Sequence, residues 1–247
     1  MKTSVEAGRT FFVADLHLTD ERPVATGRFF RFLQEEVAGS DALYILGDLF
    51  EAWIGDDHDE QVAHDTARRI RSLVDAGTRV FFMHGNRDFM LAARYAARSG
   101  MTLLADPARI DLYGTPTLLM HGDTLCTDDL AYQAFRRRVR RPLMLSLLRR
   151  LPFAWRRRLA RQARAGSEAA KAGKAADIMD VNADAVVRTL REHQVRRLIH
   201  GHTHRPAQQV HTVDGHDCER WVLPDWYARW GYVVCDAAGC ALRVEDL

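Results

Sequence analysis

Three short apolar runs, each followed within three residues by a polar residue and a glycine or a histidine, set the strongest limit on what this chain can fold into. Thr10-Phe11-Phe12-Val13-Ala14, Ala42-Leu43-Tyr44-Ile45-Leu46 and Arg79-Val80-Phe81-Phe82-Met83 are near-continuous rather than alternating. Strands buried on both faces read this way. Between them, residues 22–38 place Phe29, Phe32, Leu33 and Val37 at helical spacing, and residues 60–76 form a second helical stretch closed by Gly77. Strand and helix alternating in this way predict a layered α/β fold with parallel strands.

The pattern continues, then changes. A helix is expected over residues 91–98, and short strands around 101–104, 108–112 and 117–120. Residues 130–180 are helical stretches rich in arginine, broken at Pro142, Pro152 and Gly166. Residues 124–180 therefore read as an inserted helical cap, and residues 1–123 with 181–247 as the core. A helix resumes over 182–193, and runs at 208–213, 220–222, 232–235 and 241–244 should add antiparallel strands. Charge follows the same division. Residues 124–180 hold fourteen Lys/Arg against five Asp/Glu, a net of +9, while the remainder nets −7. The four cysteines form no Cys-x-x-Cys pair, and reduced thiols are expected. The first nine residues have no apolar core, and no run approaches the ~18 apolar residues of a membrane span. A cytoplasmic protein is expected, with any membrane contact peripheral.

The strand ends carry the chemistry. Asp15 and His17, Asp48, Asn86, His121, and finally His202 and His204 each stand at or just beyond the end of an apolar run. In open α/β sheets ligands bind outside the carboxyl ends of the strands, so these seven oxygen and nitrogen donors should converge on one crevice. Two metals sharing a carboxylate would use that many ligands and keep an open position. With no cysteine among them, the set suits Mn²⁺, Fe or Zn²⁺.

Asp15-x-His17, Gly47-Asp48, Gly85-Asn86-Arg87-Asp88, His121-Gly122-Asp123 and Gly201-His202-x-His204 resemble the five motifs of the calcineurin-like metallophosphoesterases. The resemblance implies a β-sandwich flanked by helices around a dinuclear metal centre. Asp48 would bridge, with Asp15, His17 and His204 on one metal and Asn86, His121 and His202 on the other. Many members of that superfamily have histidine where this chain has Arg87. Arginine keeps its proton and cannot act as a general acid, but it can clamp phosphate oxygens. A leaving group that needs no proton, such as a phosphate, would suit it.

Residues 46–57, 121–129, 178–182 and 202–206 resemble, more narrowly, the UDP-2,3-diacylglucosamine hydrolase family, nearly end to end. The resemblance implies two Mn²⁺ ions and water attack on the α-phosphorus. The products would be UMP and 2,3-diacylglucosamine 1-phosphate in lipid A biosynthesis, made peripherally at the cytoplasmic face of the inner membrane. It implies catalytic roles for Asn86, Arg87 and His121. Substrate contacts would come from Asn86, Arg87, Asp129, Ser167, Lys171, Lys174 and His202. Lys171 departs from the small polar or amide residue often found there, and Asp129 and Ser167 also suit helix caps. A monomer is expected.

The cap arginines, Arg136 to Arg141 above all, could meet a nucleic acid or stay solvated. Their company of Leu143, Met144, Leu145, Leu147, Leu148 and residues 151–155 favours anionic lipid and an acyl-chain groove, which Tyr132 and Phe135 could line. No nucleic-acid partner is expected. The alternative functions are another dinuclear-metal phosphoesterase acting on nucleotides, nucleic acid or phosphoproteins, or a scaffold with a vestigial site. His58, His64, His193, His211 and His216 read as surface residues, and His84 and His200 as packing or supporting ones. Asp88 and Asp123 could orient ligand histidines or cap turns.

Overall fold

The computed structural model describes residues 8–172 and 180–247. The first apolar run is β1 (Thr10–Val13), followed by α1 (Pro23–Phe32). Pro23 opens that helix, where its missing N–H would have had no partner anyway. Then come β2 (Ala42–Leu46), α2 (Gln61–Asp75), β3 (Arg79–Met83), α3 (Ala93–Ser99) and β4 (Thr102–Leu104). β5 (Ala108–Leu112) and β6 (Thr115–Met120) make a hairpin. Three helices follow, α4 (Leu130–Val139), α5 (Pro142–Arg150) and α6 (Phe153–Ala172), and after them α7 (Ala183–Glu192) and β7 (Arg197–His200). Two hairpins close the chain: β8 (Ala207–Val213) with β9 (His216–Val222), and β10 (Arg229–Asp236) with β11 (Gly239–Asp246).

The strands form two sheets, ordered β11-β10-β1-β2-β3-β4 and β5-β6-β7-β9-β8. β1 to β4 run parallel, as do β6, β7 and β9. The parallel pairing of β9 was not anticipated for a tail expected to be antiparallel throughout. Side chains alternate across each strand, and both faces find apolar cover. Phe11, Val13, Leu43, Ile45, Val80 and Phe82 pack with residues of α1 and α2. Phe12, Ala14, Tyr44, Leu46 and Met83 meet Leu112, Leu119, Ile199, Trp221 and Leu223 of the second sheet. That sheet's other face holds Leu118, Met120 and Leu198 against Val186 and Leu190 of α7. Two-sided burial is why the runs are continuous in sequence.

Three expectations are corrected. Cys235 and Cys240 are disulfide-bonded, because the β10–β11 register sets them directly opposite, with Cα atoms 4.1 Å apart; Cys126 and Cys218 stay as buried thiols. Gly166 does not break the cap, since α6 runs through it. His58 is no surface residue: its ring stacks on Trp53 with centroids 5.1 Å apart. Among the described residues no helix is long and apolar enough to cross a membrane.

Candidate metal centre

Every expected ligand stands within a few residues of the carboxyl end of a strand, where the chain has left the sheet and a side chain can turn inward. Asp15 and His17 follow β1, Asp48 follows β2, Asn86 follows β3, His121 follows β6, and His202 and His204 follow β7. Main-chain bonds join these loops in pairs: Asp15 N–H to Gly47 O (3.0 Å), His17 N–H to Asp48 O (3.0 Å) and Gly201 N–H to His121 O (2.9 Å). Two more bonds cross between the sheets, His202 N–H to Asp15 Oδ2 (2.7 Å) and His121 Nδ1–H to Leu46 O (2.8 Å). Gly47 permits this approach. Its φ is 94°, and a Cβ there would come within 2.5 Å of His121 Nδ1.

The backbone is strained where the donors sit. Asp15 (φ 54°), His17 (50°), Asp48 (53°), His202 (72°) and His204 (56°) all occupy the left-handed region. Such residues cost roughly 1–3 kcal/mol each and persist where the surroundings over-determine them, typically at functional sites. Here the loop bonds just described hold them.

The donor atoms converge. Asp15, His17 and His204 form one cluster and Asp15, Asp48 and His121 another, with ligand atoms within 4.8 Å of one another in each. Asn86 Oδ1 lies 3.1 Å from His121 Nε2 and 3.0 Å from His202 Nδ1. All seven expected donors are therefore brought together. Asp15 Oδ1 and both His17 ring nitrogens are buried without a hydrogen-bond partner. Buried acceptors without a donor, the Asp15 oxygen and the unprotonated nitrogen of His17, are what a cation would satisfy. The donor set thus fits divalent ions, with oxygen and imidazole ligands and no thiolate.

Electrostatics point the same way. Burial pushes Asp48 up to about 7, aided by the Asp88 and Asp15 carboxylates and opposed by His121. Asp15 is held well below the usual carboxylate range; His204, His121 and His17 outweigh its burial. Burial lowers His121, but Asp48, Asp123, Asp15 and the Leu46 carbonyl raise it to about 9. Burial and the neighbouring His121 charge take His202 down to about 4. On the protein alone, then, a proton on His121 supplies part of the positive charge that the carboxylates demand.

Around this cluster stands a second ring of groups that sequence reading largely missed. Glu51 is the hub. Its carboxylate pairs with Arg87 and with Arg164 Nη2 of α6 (3.1 Å), accepts from Tyr227 Oη (2.8 Å), and faces His17 Nδ1 at 3.4 Å. Glu51 lay inside a quoted motif without a role, and Tyr227 had no sequence signal. Arg87 reaches toward Asp48 Oδ2 at 4.0 Å, and Glu51, Tyr227 and Asp48 keep it protonated despite burial. Asp88 clamps two loops, accepting from Leu49 N–H (2.7 Å) and Gly85 N–H (2.8 Å), so capping turns is its observed work. Asp123 instead accepts from Tyr132 Oη and from Arg136 Nε (2.7 Å), tying α4 to the site. Tyr132 stacks beside His202, centroids 6.1 Å apart, and so walls the centre; Phe135 is half-exposed.

His200, wholly buried, donates from Nδ1 to Gly201 O (2.8 Å) and accepts at Nε2 from Arg220 (2.9 Å), a supporting role as expected. His84 contacts Leu91 O. Asp129 caps α4 by accepting from Tyr132 N–H (3.0 Å). Ser167 and Lys171 lie in α6, with side chains outside the described residues, and Lys174 lies outside them altogether.

The calcineurin-like phosphoesterase family model matches residues 8–206. The UDP-2,3-diacylglucosamine hydrolase of Enterobacter sp. (strain 638) is 50% identical over 233 residues, 94% of this chain and 97% of that protein. Its namesake from Pseudomonas paraeruginosa is 51% identical, covering 95% and 94%. That from Salmonella paratyphi B is 54% identical, covering 88% and 91%. Among solved structures, an archaeal phosphodiesterase aligns at a TM-score of 0.49 and 10% identity, covering 97% of this chain and 99% of that one.

Proposed function

We propose, from the premise that this chain belongs to the calcineurin-like phosphoesterases and among them to the UDP-2,3-diacylglucosamine hydrolase family, that it hydrolyses the pyrophosphate bond of UDP-2,3-diacylglucosamine. The products are UMP and 2,3-diacylglucosamine 1-phosphate. The observation that carries the reading is the convergence of seven donors from five strand ends on a crevice that the Arg87 guanidinium borders, 4.0 Å from Asp48 Oδ2. Family and donors together mean a divalent-metal hydrolase; Mn²⁺ is the ion we propose. Asp15, His17 and His204 would hold one ion, Asn86, His121 and His202 the other, and Asp48 both. Bound there, the ions supply Lewis-acid polarisation of the phosphoryl oxygens and neutralise their charge.

The chain's own groups do the rest. Arg87 clamps a phosphate oxygen and meets the charge that develops as the bond to the β-phosphate breaks. It cannot protonate a leaving group, and a phosphate does not require it. Glu51 holds Arg87 and Tyr227 in place, and its contact with His17 Nδ1 leaves Nε2, 3.9 Å from Asp15 Oδ1, as the atom that would hold a metal. His121 is held in orientation by its bond to Leu46 O. Asp129, Ser167, Lys171 and Lys174 are proposed for the sugar and its phosphate, and the cap, residues 124–180, for the lipid. Its exposed Leu130, Leu143, Leu147, Trp155 and Leu159 stand among exposed arginines. That surface suits acyl chains and anionic headgroups at the cytoplasmic face of the inner membrane.

Product identification tests the reading. Purified protein with Mn²⁺ and the acylated UDP-sugar should release UMP. Release of UDP, or no turnover with any divalent ion, would overturn it.

A further inference from the structure

Beside the centre lies a cavity of about 370 Å³, lined by His204, Arg205, Gln209, Arg220, Arg229 and Asp180 among others. None of its lining residues comes from α4, α5 or α6. Three arginines there face a single carboxylate, and Asp180 is already paired with Arg205. Arg220 is only 6% exposed. It donates from Nε to His200 Nε2 (2.9 Å) and from Nη1 to Gln209 Oε1 (2.7 Å), two partners that do not neutralise it. Buried charges are normally paired, and burial here lowers the Arg220 pKa against the pull of Asp180. The cavity is thus a cationic recess that shares His204 with the candidate metal cluster.

The substrate's geometry says what belongs in such a recess. Attack at the α-phosphorus leaves the ribose only an oxygen and a carbon away, so the nucleoside must begin next to the centre. The volume lies at the low end for ligand pockets, roughly 300–1,000 Å³, which suits a nucleotide rather than a diacylated sugar. A pyrimidine nucleotide presents phosphate and ring carbonyl oxygens, all acceptors, and arginine offers only donors. Its ribose hydroxyls are donors for which Asp180 and Gln209 have oxygens. The geometry points to this cavity as the site of the nucleoside monophosphate half of the substrate, lined apart from helices α4 to α6, which are proposed for the lipid half. This assignment rests on the pyrophosphatase reading.

Calorimetric binding of UMP to the whole Mn²⁺-loaded protein tests it, with inorganic phosphate and glucosamine 1-phosphate as comparison probes. UMP should bind at least ~10-fold more tightly than phosphate, and Arg205→Ala and Arg229→Ala should each weaken UMP by about tenfold, the loss of one charge-assisted contact. Glucosamine 1-phosphate should bind the variants as it binds the parent, and KM for the acylated UDP-sugar should rise with the loss of UMP affinity. Arg229 is exposed, so its replacement leaves folding intact even where Arg220→Ala does not. UMP binding no tighter than phosphate, or unchanged in both variants, overturns the assignment. If the parent releases UMP from the acylated sugar while the variants keep their UMP affinity, the cavity fails and the hydrolase reading stands. If the parent turns nothing over, the hydrolase reading fails, and the UMP measurement still decides the cavity.

Discussion

His121 has one ring nitrogen committed and one to spare. Its Nδ1–H is bonded to Leu46 O, so Nε2 is the atom left for a metal, facing Asn86 Oδ1 at 3.1 Å. In protein stripped with a chelator, that nitrogen carries a proton up to about pH 9. Asp48, pushed up to about 7, holds a second proton below neutrality. Both pKa values are raised, so the protonated forms gain as pH falls, and a divalent ion must displace them. Apparent metal affinity should therefore fall by up to ~10-fold per unit between pH 9 and pH 7, and more steeply below. Titrating stripped protein with Mn²⁺ in buffers of different ionisation enthalpy reads the proton directly. About one proton should leave at pH 8, and a proton count of zero would show that His121 is already neutral in the stripped protein and that the carboxylates do not raise it.

The elements divide into those held by apolar burial and those held by arginine. β1 to β3 and α1 to α2 share one apolar core, against which α5 lays only the partly buried Leu145 and Leu148, and no residue of α4 or α5 is fully buried. The three cap helices are pinned by ion pairs: Arg136 and Arg140 to Asp123, Arg164 to Glu51, Arg156 to Asp57. Arg156 is the deepest of these pins, donating also to Ile54 O and to Leu151 O (2.9 Å). Replacing it, Arg156→Leu, should cost roughly 2 kcal/mol, the worth of hydrogen bonds to a charged group. The loss should be local. Amide exchange in α5 and α6 should accelerate while β1 to β3 stay protected; an equal loss across the molecule would show that the cap is not a separate unit of stability.

The same division explains what could be read from sequence. Runs such as Phe11-Phe12-Val13 are legible because both faces are buried, and the end of α2 is legible because Gly77 takes a φ of 103°. Gly166 misled because glycine within a helix costs only about 1 kcal/mol, which nineteen other residues of α6 outweigh. The Cys235–Cys240 bond follows from hairpin register, and the Glu51–Tyr227 contact joins residues 176 apart. Neither register nor long-range contact is written in local pattern.

At the scale of the molecule, charge and apolar exposure coincide. Residues 124–180 net +9 on a body of −7. Exposed Arg137, Arg138, Arg149, Arg150, Arg157 and Arg158, with Arg141 capping α5, stand on the same three helices as Leu143, 83% exposed, and Trp155, 63% exposed. Each basic residue near an anionic bilayer contributes about 1 kcal/mol, and buried leucine or tryptophan adds apolar area on top. The two contributions separate by salt. Raising ionic strength from ~0.1 M to ~1 M shortens the Debye length from ~10 Å to ~3 Å and removes most of the first while leaving the second. Sedimentation with vesicles should show binding to mixed anionic and zwitterionic lipid, little to purely zwitterionic lipid, and release of most of the protein at high salt. Leu143→Glu with Trp155→Glu should weaken binding in low salt also, without altering the fold, since both side chains face outward. Equal binding to both vesicle types would mean that the cap arginines do not address a membrane. Binding unmoved by the double variant would confine the interaction to charge, and the apolar side chains would then belong to the acyl groove alone.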